Sequence, residues 1–337
     1  MRSTSSTEPP ADDAEPKSSP AAAAAASATV AELQGALSGL HRALALLLDA
    51  PAADPLWVDR IRAVKQRLAD LTSRDPDTLL YLLLFGAART VERYSSHHAL
   101  VCSALVGLCA ERLGWPEVEQ RTLMLAALSM NVSITRLQDE LVDRDRTLTL
   151  DQRQTIDQHA ARSATLLAEL GVDDELWTDV VARHHSEPAA DEFAPPPDTP
   201  ERLAALLHRV DVLCAKMSPR RARRGMPPMQ AMRDAFNAPN GRPDEIGVAL
   251  TQVLGMHPPG GLVRLANGEV GVVVRRGERP SRPWVVSVAA SNRQPLAQPV
   301  LRDTRDDAYV IRASMQPEEY RTAVDHERLL SLAAMLP

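Results

Sequence analysis

Four histidines and one aspartate follow one another along the chain at spacings that could assemble a metal site. They are His98, His159 in IDQHAARSATLL, the adjacent pair His184 and His185 in VARHHSE, and Asp211 in LLHRVDVLCAKMSPR. Imidazole nitrogens and carboxylate oxygens are ligands for Zn²⁺, Fe²⁺ and Mn²⁺. Taken singly, each side chain is more typical of a hydrogen-bonded packing residue, as is His97 beside His98. Only the ordered set therefore indicates metal chemistry.

The elements that must position these residues are predicted to be helices. A first helix carries apolar residues at alternating intervals of three and four, which is the seam of a heptad pattern: Val30, Leu33, Leu37, Leu40, Leu44 and Leu47. The segment DAPAADP (49–55) interrupts it, and a second helix runs on to Leu71. Two interpretations stay open, a helical hairpin packed on the main domain and a dimerising coiled coil through residues 30–71.

Residues 75–218 read as a series of amphipathic helices that would carry the histidines and Asp211. Gly114 and Gly171 are predicted to end two of these helices, and one helix is predicted near 150–169. The proline-rich segment 187–200 is predicted to be a loop.

After about residue 258, the sequence pattern changes from one typical of helices to one typical of short strands and tight turns. Asn267 and Gly268 lie between the β-branched runs LVRL and EVGVVV, which predicts a hairpin. Further strands are predicted at 284–288 and 309–312, and the last 20 residues are predicted to be helical. The fold class is therefore mainly α, with a small β-rich module at the end of the chain.

Composition sets the limits on domain number and partners. A chain of 337 residues suggests about two domains. The net charge of −6 lacks the basic footprint that nucleic-acid binding requires, so we expect no nucleic-acid partner. No apolar run approaches the ~18 residues that a membrane span needs, and the Ser- and Pro-rich beginning is unlike a signal peptide. We therefore expect a cytoplasmic protein without a membrane partner.

The three cysteines are predicted to be small buried packing residues. Cys102, Cys109 and Cys214 form no CxxC pair, and the first two lie in one apolar stretch. This usage fits a reducing compartment. The predicted organisation is a disordered tail, a helical hairpin, a helical domain and a β-rich module ending in a helix, at residues 1–28, 29–73, 74–257 and 258–337.

The order of these motifs resembles the HD-GYP group of HD-superfamily phosphohydrolases. That group shows a His, then a His-Asp pair in a segment like AALLHDIGK, then another His, a His-His pair and an Asp. This chain is similar in that order, with AALSMNVSI (126–134) in the place of the pair segment. The β-rich stretch after residue 258 also resembles the tail that often follows such domains. The resemblance covers roughly residues 75–312 and implies an HD-type helical bundle.

The chain departs from that pattern where the group binds its metals. Met130 stands where the His of the pair would be, and Asn131 stands where the Asp would be. Ile134 replaces a phosphate-contacting Lys, and Glu192-Phe193-Ala194 falls where Gly-Tyr-Pro would lie. In the group the Asp bridges the metals, whereas Asn131 offers only a neutral carbonyl oxygen. The resemblance therefore implies a catalytically degenerate domain.

The remaining ligands define what the resemblance still allows. His159, His184 and His185 could hold one Zn²⁺, Fe²⁺ or Mn²⁺ ion, while His98 and Asp211 would supply only half of the ligands of one metal ion. The alternative is that the histidines persist as packing residues and that the protein has no cofactor. A basic segment could contact nucleotide phosphates or be a solvated loop, through Arg220, Arg221, Arg223 and Arg224.

Two functions follow from these interpretations. The first is a pseudoenzyme in bacterial signalling that binds a partner protein or a nucleotide such as cyclic di-GMP. The alternative is an active phosphohydrolase that uses the three histidines as a mononuclear metal site. A third interpretation is a structural dimer in which the segment 30–71 carries out the function of the protein.

Overall fold

The computed structural model describes residues 20–87, 93–142, 147–186, 198–218, 225–226, 228–238, 241–316, 319–320 and 322–336. Four predictions fall outside these ranges. They concern residues 1–19 of the predicted tail, most of the loop 187–200, the segment at the Gly-Tyr-Pro position, and the arginines at 220, 221, 223 and 224. Within the described residues, no helix is both long and apolar enough to cross a membrane.

Two antiparallel neighbours form the first layer, α1 (Pro20–Asp49) and α2 (Trp57–Arg74). α1 begins earlier than the predicted end of the tail at residue 28, because a run of alanines has the highest helix propensity. The heptad seam of α1 is buried against α2, α4 and the last helix of the chain, with Leu44 fully buried. The seam therefore packs inside this chain, as the hairpin interpretation expects.

The next helices surround α4, the most buried helix of this part of the chain. Their bounds are α3 (Pro76–Ala87), α4 (Tyr94–Arg112), α5 (Glu117–Ser129) and α6 (Thr135–Val142). Most residues of α4 are buried on every side, which agrees with its lack of a polar face. Gly114 follows α4 with φ of 69°, so the predicted glycine termination is confirmed.

The second half of the helical part carries the remaining candidate ligands. It contains α7 (Leu150–Asp157), α8 (His159–Glu169), α9 (Glu175–Arg183), α10 (Thr199–Met217), α11 (Pro228–Phe236) and α12 (Glu245–Leu254). The single helix predicted near 150–169 is wrong, because the chain breaks at Gln158. At this break the ring of His159 bonds the carbonyl of Ile156. Gly171 ends α8 with φ of 88°.

Within the described residues, the end of the chain forms an antiparallel sheet with strand order β4-β3-β2-β1-β5. The strands are β1 (Leu262–Leu265), β2 (Val270–Arg275), β3 (Trp284–Ala289), β4 (Pro295–Asp303) and β5 (Ile311–Met315), and α13 (His326–Ala333) follows them. The predicted Asn-Gly hairpin joins β1 to β2, with Val263 paired to Gly271. Gly268 takes φ of 86°, which glycine adopts at little cost.

Three details of this module differ from the sequence predictions. The strand predicted at 309–312 begins only at Ile311, because residues 307–309 form a 3-10 turn that Asp306 caps. The sequence predicts no strand at β4, since this segment begins with a proline and is mostly polar or half-buried. The helix predicted over the last 20 residues is limited to α13.

The sheet packs directly on the helices. Tyr81 of α3 is fully buried in the apolar cluster of the sheet, and Val30 of α1 lies in the same cluster. Asp77 at the start of α3 binds Arg276 just after β2, with 2.6 Å between Oδ1 and Nε. The expected mainly-α architecture with a small β module is thus observed. The division into separate domains stays a prediction.

Candidate metal centre

Three histidines meet where α8 begins and α9 ends. His159 is the first residue of α8, while His184 and His185 follow α9 directly. Their candidate ligand nitrogens all lie within 4.8 Å of one another, and their ring centroids are 4.2–5.0 Å apart. His159 and His184 are buried, while His185 is partly exposed, so the cluster has a closed side and an open side.

The hydrogen bonds of this cluster fix the tautomers of two rings. The Nδ1 atoms of His159 and His184 face the backbone carbonyls of Ile156 and Val181, the second at 2.7 Å. A carbonyl oxygen can only accept, so both Nδ1 atoms carry the hydrogen. The Nε2 lone pairs of the two rings then face each other at 3.1 Å.

Two facing lone pairs require a proton or a cation between them. Burial lowers the pKa of His184 to about 3, with the neighbouring His185 adding to the effect, so a proton on this ring is disfavoured at neutral pH. Backbone carbonyls that hold the other ring nitrogen are also the usual way in which proteins orient a histidine ligand. The three imidazoles therefore fit one divalent transition metal ion with an open coordination position.

The second cluster joins α4 to α10. His98 Nε2 lies 2.7 Å from Asp211 Oδ1 and 3.5 Å from Cys102 Sγ. The Tyr94 hydroxyl lies 3.3 Å from the other ring nitrogen of His98, and the two rings stack at 5.3 Å. The structure thus brings together the predicted pair His98 and Asp211, and it adds a thiol to them.

Asp211 lies between the two clusters. Its Oδ1 faces His98, while its Oδ2 lies 3.7 Å from His185 Nε2. Burial alone would raise the pKa of the Asp211 carboxyl, but the hydrogen bond from His98 and the nearby histidines lower it overall. A carboxylate that remains ionised inside the protein supplies the negative charge that a cation site needs.

The positions that differ from the HD-GYP pattern, Met130, Asn131 and Ile134, lie in and around the turn that packs against the start of α8. Met130 is fully buried in the main apolar core, and Ile134 is also buried. Asn131 begins the short turn between α5 and α6. Ser133 in this turn donates to the carbonyl of His159 at 3.1 Å, which places the turn against the start of α8. Within this turn the structure therefore offers no carboxylate and no imidazole.

Sequence reasoning missed two side chains of the site. The sequence predicts that Cys102 is a packing residue, although its position four residues after His98 puts both on one face of a helix. His208, three residues before Asp211, lies with its ring 5.2 Å from the His185 ring, and its buried Nδ1 has no hydrogen-bond partner among the described residues. His97 lies apart, since its Nε2 bonds the carbonyl of Leu83 at 2.9 Å.

Comparisons with known proteins agree with this architecture. The family model described as an HD domain matches residues 64–189. The curated protein "Cyclic di-GMP phosphodiesterase PA4108" from Pseudomonas aeruginosa is 27% identical over 235 residues, which cover 68% of this chain and 55% of the relative. The chain thus spans about half the length of that relative.

A solved structure shows the same fold at lower sequence identity. It is "Bd1817, a HDG"Y"P protein from Bdellovibrio bacteriovorus", with a TM-score of 0.50 and 14% identity over 72% of this chain and 74% of that chain. The matched part of the family model includes His98, His159, His184 and His185, but it ends before Asp211. Residues 64–189 of this chain are thus similar to HD domains, and most of the chain is similar to a cyclic di-GMP phosphodiesterase in sequence and to an HD-GYP protein in fold.

Proposed function

We propose that this protein is a catalytically degenerate HD-GYP-type signalling protein, which binds a cyclic dinucleotide such as cyclic di-GMP, or a partner protein, without hydrolysing a phosphodiester. The observation that carries the proposal is the pair Met130 and Asn131. A dinuclear site for phosphodiester hydrolysis needs anionic ligands that offset the repulsion between its cations. Met130 is fully buried among apolar residues, and Asn131 carries no charge.

The clusters that remain support binding more than hydrolysis. Three imidazoles can hold one cation, and Asp211 supplies one carboxylate between the clusters. The thioether of Met130 is a poor ligand for Mg²⁺ or Mn²⁺. The activity named for the Pseudomonas aeruginosa relative makes a cyclic dinucleotide the first ligand to test.

The test combines binding and turnover on the same preparation of the full chain. We expect calorimetric titration to show binding of cyclic di-GMP, and chromatography after incubation with Mn²⁺ to show no linear or mononucleotide product. Hydrolysis that scales with protein concentration and disappears in His184→Ala would overturn the proposal.

A matched pair of variants tests the role of the missing charge. Asn131→Asp adds a carboxylate beside α8, and we expect it to tighten Mn²⁺ binding because the added anion attracts the cation. Asn267→Asp adds the same charge in the β1–β2 turn, where Asp-Gly is also a favourable sequence, and should leave Mn²⁺ binding unchanged. Equal effects of the two substitutions would show that position 131 is not part of a metal site.

A second candidate function is favoured by the facing lone pairs of His159 and His184. A metal ion held by the three histidines would have an open position for water, and such a water can act as a nucleophile. This mononuclear phosphohydrolase predicts turnover of a generic phosphodiester that depends on added Mn²⁺, Fe²⁺ or Zn²⁺. Elemental analysis of protein purified without chelator, together with this assay, separates it from the binding protein.

A further inference from the structure

We propose that His98, Cys102 and Asp211 form a binding site for one thiophilic divalent cation, Zn²⁺, distinct in chemistry from the three-histidine cluster. The ligand atoms of the three residues lie within 4.8 Å of one another. The inference goes beyond the proposed function, because it concerns a cation that links α4 to α10 and requires no nucleotide and no turnover.

The geometry of the three donors suits a zinc ion. Zinc lies about 2.0–2.1 Å from a histidine nitrogen and about 2.3 Å from a cysteine sulfur, with a tetrahedral arrangement. Two such ligands on one ion are then separated by roughly 3.5 Å, and His98 Nε2 and Cys102 Sγ are 3.5 Å apart. Asp211 Oδ1 lies 2.7 Å from His98 Nε2. A small increase in this distance would therefore make room for the ion between the two atoms.

The surroundings of His98 prepare it as a ligand. Its side chain is almost fully buried, and its Nδ1 faces the Tyr94 hydroxyl at 3.3 Å. A hydrogen on Nδ1 that is donated to this oxygen leaves Nε2 free to coordinate, which is how proteins commonly fix a ligand tautomer. Nε2 is the atom that faces both Cys102 and Asp211.

The thiol decides which cation the site prefers. Thiolate sulfur is a soft ligand that favours zinc over the hard cations Mg²⁺ and Mn²⁺. Binding replaces the S–H bond of Cys102 by an S–Zn bond and releases one proton to solvent. One thiolate and one carboxylate then neutralise the charge of the ion, which lowers the cost of holding it inside the protein.

Cys109 provides the contrast within the same helix. It lies two turns after Cys102, it is also fully buried, and it belongs to the apolar core without forming part of either donor cluster among the described residues. Burial, with Cys214 on α10 adding to the effect, raises the pKa of the Cys102 thiol, so Cys214 is a second thiol close to the cluster. These two residues supply the matched controls for the experiment.

The experiment uses Co²⁺ as a spectroscopic probe of the metal-free full chain, because a Co²⁺–thiolate bond gives an intense charge-transfer absorption that imidazole and carboxylate ligands do not give. We expect wild type and Cys109→Ala to develop this absorption on titration, and Zn²⁺ in excess over both candidate clusters to abolish it. Cys102→Ala should lack the absorption and bind Zn²⁺ about 10-fold more weakly or worse, as expected for the loss of a metal-site residue.

Other outcomes would overturn the proposal. A wild-type titration without a thiolate band would show that Cys102 is a packing residue. A band that survives in Cys102→Ala and is lost in Cys214→Ala would show that Cys214, and not Cys102, supplies the thiolate. If Cys102→Ala does not fold by circular dichroism, Asp211→Asn in the presence of the intact thiol serves instead, and an unchanged Zn²⁺ affinity in that variant contradicts the site. Because none of these readouts involves a nucleotide, failure here leaves the proposed function untouched.

Discussion

At the scale of single residues, two adjacent buried histidines have different kinds of hydrogen-bond partner. His97 and His98 are adjacent in α4, yet His97 bonds a backbone carbonyl in the core whereas His98 faces Asp211 and Cys102. Adjacent helical positions point in directions about 100° apart, so one side chain can serve packing while its neighbour serves the site. The pKa of His97 offers a direct test of this difference.

We predict that His97 makes the protein more stable as the pH rises from about 4 to 6.5. Burial lowers the pKa of His97 from 6.5 to about 4, with the bond to Leu83 opposing the shift. Between these values the unfolded chain binds the proton and the folded chain does not, so the free energy of unfolding increases with pH. The contribution is of the order of 3 kcal/mol, fully present above pH 6.5 and lost as the pH falls toward 4.

Urea unfolding of wild type and His97→Gln at a series of pH values measures this contribution. The variant should be less stable at neutral pH, and its stability should depend less on pH between 4 and 6.5. Parallel curves for the two proteins across this interval would contradict the assignment of a buried neutral imidazole.

How far the sequence predicts the site depends on whether a residue's role is local or tertiary. The order of His98, His159, His184, His185 and Asp211 is visible in the chain, and the structure groups these residues into two adjoining clusters. The role of Cys102 is not visible, because its distance from Asp211 depends on how α4 packs against α10. A buried cysteine in an apolar helix is otherwise most often a packing residue.

At the scale of secondary-structure elements, the strongly periodic segments were the predictable ones. The heptad pattern of α1 and the Asn-Gly turn between β1 and β2 both carry local signals that tertiary contacts reinforce. β4 lacks such a signal, since its sequence PLAQPVLRD alternates poorly, and it becomes a strand because β3 offers it an edge to pair with. Proline at its first position is compatible with an edge strand.

The seam of α1 yields a prediction with an internal control. Leu44 is fully buried in the seam, while Leu46, two residues on in the same helix, is 68% exposed. Leu44→Ala should lower the free energy of unfolding by about 2 to 5 kcal/mol, because it leaves a cavity in the core. Leu46→Ala should change it by no more than about 0.5 kcal/mol, because alanine fits a helix and little burial is lost.

The same two variants examine the coiled-coil interpretation of residues 30–71. Since the seam is covered by this chain's own helices, light scattering should give the same oligomeric state for wild type and both variants. A dimer that dissociates in Leu44→Ala while the monomer remains fully folded would restore the coiled-coil interpretation.

At the scale of the whole molecule, the question is whether the β module acts as an independent unit. The predicted boundary near residue 258 coincides with the change from helices to strands, but the contacts across it are extensive. Tyr81 of α3 is fully buried in the apolar cluster of the sheet, α13 packs on α1, and Phe85 lies against Gly260. Burial of this kind favours a single cooperative unit over two loosely tethered domains.

The ion pair between Asp77 and Arg276 provides the test of that cooperativity. Asp77 is only 16% exposed and accepts from the backbone and the side chain of Arg276, the side-chain contact with Oδ1 being 2.6 Å. Asp77→Asn should therefore destabilise the protein by about 2 kcal/mol, the cost of weakening buried hydrogen bonds to a charged group. Asp173→Asn removes the partner of Arg62 from an exposed pair and should cost less than about 1 kcal/mol.

Hydrogen exchange followed by mass spectrometry then shows which part of the molecule responds to Asp77→Asn. In a single cooperative unit, the most protected amides of α4 and of β2 and β3 all exchange through global unfolding, so they should lose protection by the same factor. A destabilisation of about 2 kcal/mol corresponds to roughly a 30-fold faster exchange of these amides. Loss of protection confined to β2 and β3, with α4 unchanged, would mean that the module undocks on its own. In that case the predicted boundary near residue 258 would mark a true domain, and Asp77 would belong to its interface.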